Sequence, residues 1–185
     1  MSLLDGAILL RDTAEFPYWE RRLRDECVRS GRFGRNFVLV LLAVDRDAAT
    51  APRPPSPEVM DALSDNLRSG VRSVDLVAQV GNCLFAVMLV GATTATGGTI
   101  AARLVERVQE AVAALPPPAT TSPVVCGVAT FGLESEGPEQ LVGAAEADLL
   151  QAIAASRRQA DDQADAPADD AAHADTLSPC DVSLR

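Results

Sequence analysis

The sequence predicts an α/β protein of the α+β kind, with a β-α-β-β-α-β sheet and further helices laid against it. Three observations predict it. Four apolar runs of strand length alternate with segments whose apolar residues recur at helical spacing. A Gly-Asn pair separates the two middle runs, as a tight hairpin link would. Gly and Pro clusters punctuate most of the other boundaries.

Taken in order, residues 14–30 carry Phe16, Trp19, Leu23 and Cys27 among Arg and Glu, which is one buried stripe on a helix closed by Gly31 and Gly34. Phe16 and Trp19 are core candidates. Arg21, Arg22 and Arg24 read as a solvated basic face. The run 37–44 is aliphatic without interruption, as suits a central strand covered on both faces. Prolines between Asp47 and Glu58 forbid regular structure there. A helix over 58–71 follows, with Val59, Met60, Leu63, Leu67 and Val71 on one side.

The runs 75–80 and 83–90 flank the link Gly81-Asn82. A helix over 97–115 uses Ile100, Leu104, Val105, Val108 and Val112, and stops at Pro116 to Pro118. Residues 124–131 form the fourth strand. The last helix, 139–157, turns Leu141, Val142, Ala145, Leu149 and Ile153 inward. The resulting core is a split β-α-β sheet of the ferredoxin-like kind. The expected divisions are a lead-in over 1–11, a domain over 12–158 and an acidic disordered tail over 159–185.

Composition narrows function. The chain has 185 residues, 48% of them hydrophobic and 4% aromatic, so aliphatic side chains build a single-domain core. Net charge is −10, and from Gln159 onward there are seven Asp against the one Arg185. An acidic body with an acidic tail argues against nucleic-acid binding, which needs a basic face. All 16 basic residues are Arg. Cys27, Cys83, Cys126 and Cys180 form no C-x-x-C pair, and His173 is the one histidine, so no zinc set is expected. The longest apolar run is strand-sized, and the start is too short and acidic for a secretory signal. A cytoplasmic protein without membrane insertion is expected.

The stretch from Val71 to Leu89 resembles the centre of GGDEF domains, in which an Arg-x-x-Asp-Leu-x-Ala-Arg segment leads into a Gly-Gly-Asp-Glu-Phe hairpin. Here Arg72-Ser73-Val74-Asp75-Leu76 precedes Gly81-Asn82-Cys83-Leu84-Phe85, with Arg72 nine residues before Gly81. Val44-Asp45-Arg46-Asp47 is similar to the Asp-x-Asp closing the family's first strand. Val125 to Phe131 is similar to its Ser-Ile-Gly-Val-Ala strand. Ala145 to Ala152 is similar to its closing Ala-Asp-x-Ala-Leu-Tyr-x-Ala-Lys helix. The resemblance covers residues 12–158 and implies a nucleotidyl-cyclase, palm-like fold.

Active members of that family join two GTP molecules into cyclic di-GMP with divalent metal. The resemblance puts the first metal Asp at Asp45 and the second acidic ligand at Cys83, with the next acidic position at Leu84. Sulfur and hydrocarbon are poor partners for magnesium, which takes hard oxygen ligands. The second hairpin glycine is Asn82. The guanine-reading Asp falls near Pro57, and the guanine-reading Asn has no match. The closing-helix Lys is replaced by Ile153, with Arg157 as a later basic residue, and the opening Leu-Thr-Gly-Leu-x-Asn-Arg motif is absent around Arg11 to Phe16.

The resemblance therefore implies a catalytically inactive regulatory module in cyclic di-GMP signalling. Arg72 and Asp75 match the family's product-binding Arg-x-x-Asp site, so cyclic di-GMP is the expected ligand, although the family's assisting Arg falls at Gln79. The alternative is a nucleotide-independent scaffold that binds a protein partner or a second copy. A third reading is an active diguanylate cyclase despite the substitutions. No cofactor is expected, and magnesium would enter only with residual nucleotide binding at Asp45. From the residues alone, Arg-x-x-Asp can also be a local salt bridge, Asp45 and Asp47 solvated turn residues, and Cys83 a small packing residue.

Overall fold

The computed structural model describes residues 3, 7–11, 13–44, 56–114, 123–132 and 137–164. Asp45, Asp47, the proline-rich stretch before Ser56, Pro116 to Pro118 and the tail with His173 and Cys180 lie outside the described residues.

The elements are α1 (Phe16–Phe33), β1 (Phe37–Ala43), α2 (Pro57–Ser69), β2 (Leu76–Gly81), β3 (Leu84–Val90), α3 (Thr94–Ala113), β4 (Val125–Phe131) and α4 (Pro138–Ala164). The four strands form one sheet in the order β2-β3-β1-β4, with antiparallel pairing throughout. This is the expected β-α-β-β-α-β order with a helix at each end.

Both faces of the sheet are covered, which explains why β1 is apolar along its whole length. Phe37, Leu39, Leu41 and Ala43 point into a cluster with Phe16, Trp19, Leu23 and Cys27 of α1 and Leu141, Val142, Ala145, Leu149 and Ile153 of α4. Val38, Val40, Leu42 and Val44 point the other way, into Met60, Leu63 and Leu67 of α2 and Leu104, Val108 and Val112 of α3. Alternation of period two along the strand thus feeds two cores instead of one core and solvent. Two glycines permit the close layers. A Cβ on Gly127 would lie 2.3 Å from Ala145 O and Leu149 N, and one on Gly97 would lie 2.7 Å from Val38 Cγ2.

Several boundaries differ from the sequence expectation. Helix α3 begins at Thr94, before the expected Gly97, because Thr93 and Thr96 form a reciprocal capping box. Helix α4 continues to Ala164, through the expected boundary at residue 158. Residues 7–11, set apart as a lead-in, pack into the domain: Leu9 and Leu10 are buried in the α1/α4-side core.

The hairpin is shifted by one residue. Gln79 pairs with Phe85 but Gly81 pairs with Leu84, which leaves Val80 as a bulge. The two-residue link is therefore Asn82-Cys83, not Gly81-Asn82, and Cys83 takes the left-handed conformation, with φ 47°.

Candidate functional site

The hairpin lies at the end of the sheet beside the C-terminus of β1, where the Val44 amide donates to Cys83 O at 2.9 Å. Cys83 is 5% exposed and packs in the α2/α3-side core with Val44, Met60 and Val124. Leu84 is fully buried in the opposite core, and Phe85 is fully buried on the side of Cys83. Gly81 closes β2, and Asn82 is half-buried in the turn. Gly81 is required by crowding: a Cβ there would stand 2.8 Å from Leu9 O.

A divalent magnesium ion asks for hard oxygen ligands. The two hairpin positions that the resemblance assigns to acids instead offer a thiol and an isobutyl group, each turned into an apolar core. These residues do not fit the ion. Among the described residues there is no group of three or more His, Cys, Asp or Glu side chains able to hold a metal. Ile153, at the position matched to the closing-helix Lys, is 3% exposed and faces the core, while Arg157 is exposed one turn further on.

Arg72 and Asp75 lie in the turn between α2 and β2. They are brought together through the backbone, not as an ion pair. Asp75 Oδ2 accepts the Arg72 amide at 2.9 Å, and Oδ1 accepts the Val90 amide at 3.0 Å. The Asp75 amide in turn donates to Arg72 O at 3.0 Å. Asp75 thus closes its turn and secures the end of β3. The Arg72 side chain is exposed and enters no ion pair among the described residues.

Two further arginines reach this turn from α3, and periodicity gave no sign of them. Arg103 donates to Gly70 O at 3.2 Å. Arg107 donates to Asn66 O at 3.1 Å and to Ser69 Oγ at 2.7 Å. Both contacts satisfy acceptors at the C-terminus of α2, where cations are favoured. None of these acceptors is a carboxylate, and the turn that carries Arg72 also carries the Asp75 carboxylate. The signal that could have found Arg103 and Arg107 is i,i+4 spacing on the exposed side of α3.

Gln79, matched to the family's assisting Arg, is tied down elsewhere. Its amide donates to Glu15 Oε2 at 2.5 Å and its side chain to Gly81 O at 3.3 Å. Glu15 also pairs with Arg68 at 2.6 Å. On the basic face of α1, Arg24 bridges Glu20 and Glu139, and Arg21 lies over the Tyr18 ring.

The four-stranded antiparallel sheet between two helical layers, with a tight hairpin at one end, is the GGDEF-domain fold. Among solved structures, the chain is similar to the GGDEF domain of FimX from Pseudomonas aeruginosa, with TM-score 0.61 and 13% identity over 75% of this chain and 88% of that one. It is similar to the diguanylate cyclase SiaD from Pseudomonas aeruginosa, solved in complex with its activator SiaC, with TM-score 0.56 and 23% identity over 84% of this chain and 60% of that one. It is also similar to the GGDEF domain of DgcB from Caulobacter crescentus in complex with c-di-GMP, with TM-score 0.55 and 16% identity over 77% and 84%. No protein-family model and no curated protein matches the chain. At these identities the shared property is the fold, and function has to be argued from the residues. Among the described residues no helix is long and apolar enough to cross a membrane.

Proposed function

We propose that this chain is a GGDEF-fold regulatory module without diguanylate cyclase activity, and that it receives cyclic di-GMP at the arginines around the α2–β2 turn. The observation that carries the first half is the burial of Cys83 and Leu84 in opposite apolar cores. Neither side chain can present an oxygen ligand, and losing one transition-state contact commonly costs about two to three orders of magnitude in rate. Magnesium is outside this reading.

The second half rests on charge and geometry. Guanidinium groups fork onto phosphate oxygens or the guanine Hoogsteen edge. Arg72 is exposed, and Arg103 meets the chain two residues upstream of it, at Gly70 O. Asp75 orders the turn that presents Arg72.

Two measurements test this reading. Purified protein incubated with GTP and magnesium or manganese is expected to give no cyclic di-GMP; a product whose formation depends on the protein would overturn the inactive reading. Calorimetric titration with cyclic di-GMP is expected to show binding that Arg72→Ala and Arg103→Ala each weaken. Absence of heat, or unchanged affinity in both variants, removes the receptor reading.

One observation favours a second reading, a scaffold that ignores nucleotide. Both Asp75 oxygens already accept backbone amides, so the residue has a structural task that needs no ligand. A protein partner or a second copy bound equally well with and without cyclic di-GMP would support it. A monomer that binds cyclic di-GMP and no protein would count against it.

A further inference from the structure

We propose that residues 7–11 and 13–15 act as a latched strap, with Glu146 as the latch, whose opening uncovers the outer edge of β2 and loosens the hairpin. This inference is independent of whether the chain binds a nucleotide. Glu146 lies on α4 and is 2% exposed. A buried carboxylate is costly unless its oxygens are satisfied. Among the described residues no cation meets it. Three successive backbone amides do: Oε1 accepts from Ile8 at 3.1 Å, Leu9 at 2.7 Å and Leu10 at 3.3 Å, and Oε2 accepts from Ile8 at 3.0 Å. Consecutive amides converging on an anion make a nest, and here the anion is supplied by the protein itself. These amides belong to an irregular segment and would otherwise lack helix or sheet partners.

From the latch the strap runs to the open side of β2, an edge strand. The Arg11 amide donates to Val80 O at 2.7 Å, and Thr13 Oγ1 donates to Gln79 O at 2.5 Å. Glu15 Oε2 accepts the Gln79 amide. An edge strand left bare is a template for unwanted pairing, and these three contacts cover it. They converge on the bulge at Val80, one residue from Gly81, against which Leu9 O is packed. Holding the strap therefore holds the hairpin register. Ile8 is 60% exposed and Arg11 is exposed, while Leu9 and Leu10 are buried in the α1/α4-side core, so lifting the strap uncovers two leucines but breaks no strand pairing of the sheet.

Amide hydrogen exchange on the full chain tests this. In the wild type at rising sub-denaturing urea, the amides of Ile8, Leu9, Leu10 and Gln79 are expected to lose protection together while those of β1 keep theirs. Glu146→Gln retains an acceptor but removes the charge, and is expected to speed exchange at these four amides by about tenfold or more with β1 unchanged. Acceleration at residues 8–10 with Gln79 unaffected would overturn the coupling, and exchange of all four only together with β1 would overturn the strap as an opening unit. If Glu146→Gln does not fold, the wild-type urea series decides alone by the same two criteria.

Discussion

Asp75 Oδ1 accepts the backbone amide of Val90 at 3.0 Å, tying the turn before β2 to the last residue of β3. The same carboxylate closes its own turn on the Arg72 amide. Arg72 and Asp75 therefore answer to mutation differently. Asp75→Ala leaves two amides without their acceptor and is expected to cost about 1–3 kcal/mol in a urea melt. Arg72→Ala, at an exposed side chain, is expected to change stability by less than about 0.5 kcal/mol. A loss of ligand binding is thus interpretable for Arg72 and must be corrected for unfolding at Asp75. Equal stability of the two variants would contradict the capping role.

Placing acids in the hairpin tests whether these buried positions can take a charge. Cys83→Asp with Leu84→Glu places one carboxylate in each apolar core. The double variant is expected to lose about 3 kcal/mol or more, because each buried charge lacks a partner. It is also expected to form no cyclic di-GMP from GTP and metal. A stable and active double variant would show that these positions reach solvent and a metal.

Interlayer spacing makes Gly127 a highly restrictive glycine among the described residues. Gly127→Ala drives a methyl group to 2.3 Å from backbone atoms of α4 and is expected to cost at least about 1–3 kcal/mol. Around Gly98 on α3 and Gly143 on α4, nothing stands within 4 Å of where a Cβ would sit, so alanine there is expected to stabilise by about 0.4–1 kcal/mol. Thermal or urea melts of the three variants check both signs.

Burial, reinforced by the nearby Glu139 carboxylate, pushes the Cys27 thiol up to about 12. Cys126 is also raised, by burial and then by Asp148. Native protein at neutral pH is expected to react slowly with iodoacetamide at both positions, and quickly once unfolded. The folded state favours the protonated thiol, so the Cys27 contribution is intact below about pH 9, where the free thiol ionises, and is lost as pH rises toward about 12. Rapid native labelling of Cys27 at pH 7 would contradict its burial.

Glu139 links α4 to α1 through Arg24 at 2.9 Å. Its carboxyl is held below the usual range, first by its own backbone amide at the helix start and then by Arg24. A depressed carboxyl stabilises above its unfolded pKa and loses that contribution as pH falls through the folded value. Both side chains are substantially exposed, so Glu139→Gln is expected to cost less than about 1 kcal/mol at neutral pH, and the difference from wild type should vanish in acid.

Sequence pattern by itself determined the order of the elements and the inward faces of the helices. Phe16, Trp19, Leu23 and Cys27 on α1, and Leu141, Val142, Ala145, Leu149 and Ile153 on α4, are all buried as their spacing implies. Such periodicities are local and survive in one dimension. That Cys83 and Leu84 stand where the resemblance puts acids was equally plain from the hairpin sequence. Only the tertiary structure decided the bulge at Val80, the gathering of Arg103 and Arg107 at the Arg72 turn, and the capture of Ile8 to Leu10 by Glu146. Each of these depends on a hydrogen bond or a register set between distant segments, and the energy of such a contact leaves no periodic trace along the chain.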